Sequence, residues 1–373
     1  MKLTFPHMGN TYIAAKAMLD ELGVNYVIPP FNSKKVLEIG TKYAPELACL
    51  PLKINLGNYI QAYEKGADAI FITGGCGPCR FGYYCEMEKA ILKDMGCNME
   101  VITLEWPDKG FFEFMRRIKK IAGGLNLYKI VKAAIATTMI AKQVDDLERL
   151  TFKIRPREIE NGITDRIYRE FQNKVLQTYG SKALKKLIIE TKSELLKIET
   201  DKNFTPLKVG IVGEIYTTID PYTNLEIATK LGGMGIEIER PVTVSGWIID
   251  HMLKKALHLP RNLRYRAAAK PYLGKMIGGH AQETIGNTVL CAKNGFDGVI
   301  QVYPLTCMPE IVAESILPAI ERDYDIPILT LIIDEMTGDG GYLTRLEAFV
   351  DLMNKRKERA TAKGFIGDIP QTP

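Results

Sequence analysis

The sequence contains no hydrophobic run that approaches the roughly 20 residues of a membrane-spanning helix. Its N-terminal apolar stretch is too short for a signal peptide, and Pro6 interrupts it. It also lacks a strong charge of either sign, because its net charge is only +5. The densest basic stretches, 116–120 and 182–186, have helical periodicity, which favours solvated helix faces over a binding patch. These absences predict a cytoplasmic protein that binds neither membranes nor nucleic acid.

A disulfide framework is not expected either. The cytoplasm keeps thiols reduced, and the odd number of cysteines, seven, leaves at least one unpaired in any disulfide scheme. Cysteines in such a chain point to metal or redox chemistry. The length of 373 residues predicts two or three domains.

Short apolar runs alternate with helical segments in both halves of the chain. In the first half, the runs at 3–5, 26–28, 67–73 and 101–104 read as strands. In the second half, 209–213 and 236–238 read as strands, and 222–231 reads as a helix. Strands separated by helices are typical of a parallel sheet with crossover helices. Residues from about 110 to 205 have helical periodicity and few strand signals.

Two short motifs of the first half recur in the second half at one constant offset. Leu56-Gly57-Asn58 matches Ile285-Gly286-Asn287, and 65–70 matches 294–299 without a gap. The alternative is chance similarity of short motifs, but the unbroken register favours an ancient duplication. We therefore predict an α/β fold with two related Rossmann/flavodoxin-like lobes, each with a parallel sheet. The predicted boundaries are 1–110, a helical connector at 111–205, and 206–373.

Four cysteines fall at related places in these lobes. Cys76 and Cys79 follow a buried strand, and Cys307 lies in the equivalent loop of the second lobe. Cys49 directly precedes the helix that leads into the Cys76 strand. Because ligands bind at the carboxyl ends of strands in open α/β sheets, we expect these cysteines to converge on the cleft between the lobes.

A 4Fe–4S cluster suits such a set, since a Cys-x-x-Cys turn supplies two of its thiolate ligands. Gly74, Gly75 and Gly77 would let the backbone approach the cluster and point N–H groups at its sulfur atoms. Two alternatives stay open. A zinc site also takes four thiolates, although structural zinc sites usually pair two short motifs. A thioredoxin-like dithiol carries a similar motif but leaves Cys49 and Cys307 unexplained.

The remaining cysteines have simpler interpretations. Cys85 lies about one and a half helical turns beyond Cys79 and is a further candidate ligand. Cys97 and Cys291 lie near helix ends without glycine-rich loops, which favours packing as small buried residues.

Several motifs together resemble the 2-hydroxyacyl-CoA dehydratase superfamily, and the branch named CoA-substrate-specific enzyme activase in particular. They are Cys49-Leu-Pro-Leu-Lys53, Gly74-Gly-Cys-Gly-Pro-Cys-Arg-Phe-Gly-Tyr-Tyr84, Cys307-Met-Pro-Glu310 and Arg345-Leu-Glu-Ala-Phe349. The resemblance spans nearly the whole chain outside the helical connector. It implies an anaerobic system in which a separate ATPase with its own 4Fe–4S cluster injects low-potential electrons into a cluster-bearing component.

Within that system, the resemblance implies that this chain accepts the electrons and passes them to a small substrate, such as an acyl-CoA. The sequence has no Gly-x-x-x-x-Gly-Lys-Ser/Thr loop, so the ATP-dependent activase is expected to be a separate partner. A double cubane needs about six cysteine ligands, yet Gly278 stands where the duplication places the counterpart of Cys49. We therefore expect a single 4Fe–4S cluster, in a homodimer.

Four side chains near the expected cluster are candidates for catalysis. Lys53 and Arg80 flank proposed ligands and could neutralise added negative charge, or could form helix-end salt bridges. Glu310 could accept a proton or cap the helix after Pro309. His280 could donate a proton, or could be structural. Two other functions remain open: a cluster carrier that transfers electrons without catalysis, and a zinc-stabilised binding module.

Overall fold

The computed structural model describes residues 1–72, 81–104, 111–124, 126–253 and 264–367. The first sheet contains the parallel strands β1 (Leu3–Thr4), β2 (Ala69–Ile72) and β3 (Glu100–Thr103), in the order β1-β2-β3. A parallel bridge from Leu3 to Tyr26 extends it beyond β1. All residues of β1 and β2 are buried, as their apolar sequence predicts.

The second sheet repeats this plan with longer strands. It contains β4 (Leu207–Gly213), β5 (Ile236–Glu239), β6 (Gly298–Pro304) and β7 (Ile328–Ile333), all parallel, in the order β5-β4-β6-β7. If the bridge at Tyr26 is counted as a strand, it lies next to β1 on the side away from β2. The strands of the two sheets then have the same order relative to the chain. The predicted α/β fold with related parallel sheets is confirmed.

Along the chain, helices connect the strands within each sheet, and four further helices lie between the last strand of the first sheet and the first strand of the second. The first sheet is accompanied by α1 (Thr11–Leu22), α2 (Lys34–Tyr43), α3 (Leu50–Glu64) and α4 (Phe81–Asp94). Between the sheets lie α5 (Phe111–Ile121), α6 (Leu127–Ile154), α7 (Ile163–Gln177) and α8 (Ser181–Leu195). The second sheet is accompanied by α9 (Ile215–Ile219), α10 (Ile227–Gly233), α11 (Val244–Trp247), α12 (Arg264–Ala269), α13 (Ala281–Lys293), α14 (Met308–Tyr324) and α15 (Asp339–Gly367). No helix in the described ranges is long and apolar enough to cross a membrane.

The long helix α6 joins the helical segment to both sheets. Its buried apolar side chains share one core cluster with α1. On another side, Glu148 of α6 forms a buried ion pair with Arg240, which follows β5. Asp145 of α6 accepts a hydrogen bond of 2.8 Å from the backbone N–H of Ser245. These contacts attach the second lobe to the helices.

One predicted helix begins later than expected. The sequence predicted a helix from Tyr222, but α10 begins at Ile227. The Asp220 carboxylate accepts a hydrogen bond from the Thr223 N–H, and the Asn224 side chain accepts one from the Ile227 N–H. Because these side chains bond the backbone locally, they favour turns over helix at 220–226.

The helices α2 and α3 cross so closely that only glycine fits at the crossing. A Cβ on Gly40 would lie 1.6 Å from the Lys53 carbonyl oxygen. A Cβ on Gly57 would lie 1.9 Å from the Val36 carbonyl oxygen. The crossing fixes the position of α3, whose N-terminus carries Cys49.

Candidate functional site

A buried polar network joins the two lobes. The Asp220 carboxylate accepts hydrogen bonds from the Gly9 N–H (3.0 Å) and the Asn32 amide (2.8 Å). The Tyr216 hydroxyl donates to the His7 carbonyl oxygen at 2.6 Å. Burial raises the pKa of Asp220 to about 6. Since buried polar groups demand partners, this network holds the lobes in one relative position.

Cys49 and Cys307 occupy corresponding places at the start of helices. Each is the N-cap of its helix, α3 or α14, and each helix has a proline in its first turn. The Thr306 hydroxyl donates to the Leu47 carbonyl oxygen at 3.3 Å, which links the two cysteine-bearing loops. The N-terminus of a helix stabilises negative charge, so both positions suit a thiolate.

The surroundings of Cys307 oppose a thiolate that has no counter-charge. Its side chain is buried, and burial raises the pKa of the thiol far above its usual range. Nearby Glu214, Glu310 and Cys49 raise the pKa further. Cys49 contacts the Tyr84 hydroxyl. Left alone, Cys307 is a thiol, whereas a bound metal cation would offset the charge of its thiolate.

Acidic side chains follow three neighbouring strands of the second sheet. Glu214 comes directly after β4, Glu310 lies in the first turn of the helix α14 after β6, and Glu335 follows β7. Burial raises the pKa of Glu310 to about 7, although Thr284 and Gln301 donate hydrogen bonds to its carboxylate. Burial also raises the pKa of Glu214. Glu310 therefore holds or releases a proton close to neutral pH.

The structure pairs Lys53 with a carboxylate of the other lobe. The ammonium group forms an ion pair with Glu335 and donates to the Glu46 carbonyl oxygen at 2.9 Å. Only 2% of the Lys53 side chain is exposed, compared with 25% of that of Glu335. Lys53 thus supplies a buried positive charge one turn beyond Cys49, and it ties α3 to the loop after β7.

His280 lies beside the Cys307 helix. It is the half-buried N-cap of α13, and Gly279 before it packs so closely on Pro309 that a Cβ would approach that ring to 2.6 Å. The structure thus brings His280, Glu310 and Cys307 into one neighbourhood.

Several predicted site residues lie outside the described residues: Cys76, Cys79, Gly74, Gly75, Gly77 and Arg80. The described chain ends at Ile72, the last residue of β2, and resumes at Phe81, the first residue of α4. Cys85 is described and is buried in α4. Among the described residues, no group of three or more His, Cys, Asp or Glu side chains is arranged to hold a metal.

A second buried polar group, on α3 and α4, was not predicted from the sequence. Asn55, Asn58 and Tyr59 of α3 and Glu88 of α4 are all fully buried. Burial raises the pKa of Glu88 to about 8. The available signal was the placement of two asparagines between apolar residues in the first eleven residues of α3, all of which are buried.

The fold and the site define a two-lobed α/β protein with thiols at helix N-termini where its lobes meet. The profile of the CoA enzyme activase uncharacterised domain (DUF2229) matches residues 7–241, and the chain belongs to this family. The match covers the first lobe except β1, the helical segment and the strands β4 and β5. A comparison with curated proteins gives no match. The resemblance to the dehydratase–activase system is confirmed at this level, while the CoA-substrate-specific branch stays a prediction.

The family match overturns one prediction from the sequence. We expected the cluster-bearing dehydratase component, which accepts electrons from a separate activase, and that prediction is wrong. The matched domain is a CoA enzyme activase domain, so the chain belongs to the activating side. The motifs around Cys49 and Cys307 indicate thiolate chemistry, but they do not indicate whether the chain activates its partner or is activated by it.

Proposed function

We propose that this chain acts as an activator of a CoA-dependent enzyme and works on a partner of the dehydratase type. The observation that carries the proposal is the activase-domain match over residues 7–241. The roles are therefore the reverse of those expected from the sequence: the dehydratase component is the partner, and this chain serves it.

We further propose that the cleft holds a metal centre bound by Cys49 and Cys307, with Cys76 and Cys79, which follow β2 in the sequence. The chemistry of the described donors supports this, because two cysteines occupy the N-cap positions of helices that follow linked loops. A 4Fe–4S cluster bound there would supply a one-electron carrier. The helix N-termini would stabilise the thiolates, and Lys53 would offset part of the negative charge.

Metal analysis of the anaerobically purified chain tests the centre. We expect about four irons and four sulfides per chain for a 4Fe–4S cluster, and an EPR signal after reduction. Cys49→Ala and Cys307→Ala should each lose most of the iron. Cys97→Ala is the matched control, because Cys97 is buried between α4 and the opposite, N-terminal end of β3. Zinc without iron, or equal iron in all three variants, would contradict the centre.

A separate assay tests the direction of activation. The chain is mixed with a 2-hydroxyacyl-CoA dehydratase component, a reductant and MgATP, and dehydration is followed. We expect activity to depend on this chain at substoichiometric amounts, as befits an activator. A dehydratase component that works equally well without the chain would contradict the activator role, whatever the metal content.

A further inference from the structure

Four oxygen atoms in the fully buried group on α3 and α4 have no hydrogen-bond partner among the residues that the structure describes. They are Asn55 Oδ1, Asn58 Oδ1, the Tyr59 hydroxyl and Glu88 Oε2. All four side chains are 0% exposed, so none of them contacts bulk solvent. Because an unpaired polar atom is costly in the protein interior, four together indicate an occupant.

These atoms belong to one neighbourhood. Asn55, Asn58 and Tyr59 lie three and four residues apart on α3, so they share a face of that helix. The Asn55 amide donates to the other oxygen of Glu88 at 3.2 Å, which brings α4 to the same face. The charge of Glu88 also acts on the Tyr59 hydroxyl.

The chemistry of the group indicates what it binds. The two amide oxygens are acceptors only, the ionised Glu88 carboxylate is an acceptor as well, and the Tyr59 hydroxyl can also accept. Glu88 forms no ion pair with any residue in the described ranges, so its buried carboxylate has no counter-charge from that part of the chain. Carboxylate, amide and hydroxyl oxygens are the ligands that hard cations prefer. One formal negative charge is balanced by one positive charge.

We propose that Asn55, Asn58, Tyr59 and Glu88 bind a monovalent alkali cation, Na⁺ or K⁺, between α3 and α4. Without a cation, burial raises the pKa of Glu88 to about 8 and keeps the carboxyl protonated near neutral pH, so a bound cation would have to displace that proton. The site is separate from the cysteines, and it does not depend on the activator function.

Such a cation would stabilise the contact between the two lobes through a chain of hydrogen bonds. Asn58 donates to Asn32 at 2.7 Å, and Asn32 donates to Asp220 of the second lobe at 2.8 Å. The cation site is therefore the first member of a hydrogen-bonded chain that crosses the lobe interface. It also fixes α3, which begins next to Cys49.

Thermal unfolding of the full chain in defined salts tests the proposal. Samples contain 1 to 100 mM NaCl or KCl, and choline chloride keeps the ionic strength constant. We expect at least one alkali salt to raise the melting temperature by about 2 °C or more, because a ligand that binds only the folded state stabilises it. Glu88→Gln should abolish this rise. Glu86→Gln, an exposed position on the same helix, should keep it.

If Glu88→Gln does not fold, binding of the cation to the natural chain can still be measured directly. Sodium-23 NMR of the natural chain should show line broadening that saturates with added chain and is reversed by K⁺. No broadening together with no salt-specific stabilisation of the natural chain would overturn the proposal and leave trapped water as the occupant. Equal salt responses of the Glu88 and Glu86 variants would also overturn it.

Discussion

The ion pair between Lys53 and Glu335 gives an asymmetric prediction, because its two members differ in exposure. Glu335→Gln leaves the Lys53 ammonium buried, with the Glu46 carbonyl oxygen as its remaining partner. Lys53→Met instead removes the buried charge and keeps an apolar stem of similar length. It leaves Glu335, whose side chain is 25% exposed and can be hydrated. Glu335→Gln should therefore be the more damaging change.

The magnitudes follow from burial. Removing one partner of a fully buried pair costs about 3–5 kcal/mol. Because Glu335 is partly exposed, we expect a loss of about 2–3 kcal/mol in the free energy of unfolding for Glu335→Gln. Lys53→Met should cost about 1 kcal/mol or less, since an apolar replacement of a buried ion is often nearly neutral.

Urea unfolding followed by far-UV circular dichroism measures these free energies. The matched control is the surface pair of Lys34 and Glu38, whose side chains are 87% and 64% exposed at 3.8 Å. Lys34→Met and Glu38→Gln should each change the free energy of unfolding by about 0.5 kcal/mol or less. The reasoning is refuted if Lys53→Met is as damaging as Glu335→Gln, or if both match the surface controls.

Two further predictions concern packing and pH. Gly57→Ala should cost about 3 kcal/mol or more or prevent folding, because its Cβ would meet the Val36 carbonyl oxygen at 1.9 Å. Gly233→Ala, with open space around it in α10, should be neutral or slightly stabilising in the same thermal melt. The folded pKa of Glu310, about 7, lies above its ordinary value of 4.5, so the folded state keeps a proton that the unfolded state has released. The free energy of unfolding should therefore fall as pH rises from about 4.5 to about 7, and Glu310→Gln should weaken this decline in urea titrations. The exposed control Glu347→Gln should leave the decline unchanged, and an unaltered slope in Glu310→Gln would contradict the assignment.

The sequence by itself determined the architecture. Buried apolar runs separated by helices predict parallel strands, and the constant offset between the halves predicts their common strand order, which the two sheets show. The sequence also placed Cys49 and Cys307 at the starts of helices that follow loops. These features follow from local periodicity and from the proline that follows each cysteine, because proline is favoured in the first turn of a helix.

Only the tertiary structure decided which side chains meet. Lys53 and Glu335 are 282 positions apart, and nothing in their local sequences pairs them. Glu88 likewise meets Asn55 across two helices. Periodicity tells which face of a helix is buried, but the neighbour on that face depends on how closely the helices cross. At the crossing of α2 and α3, that distance is set by the contact of Gly40 and Gly57 with the facing backbone, so the positions of Cys49, Lys53 and Asn55 all depend on it.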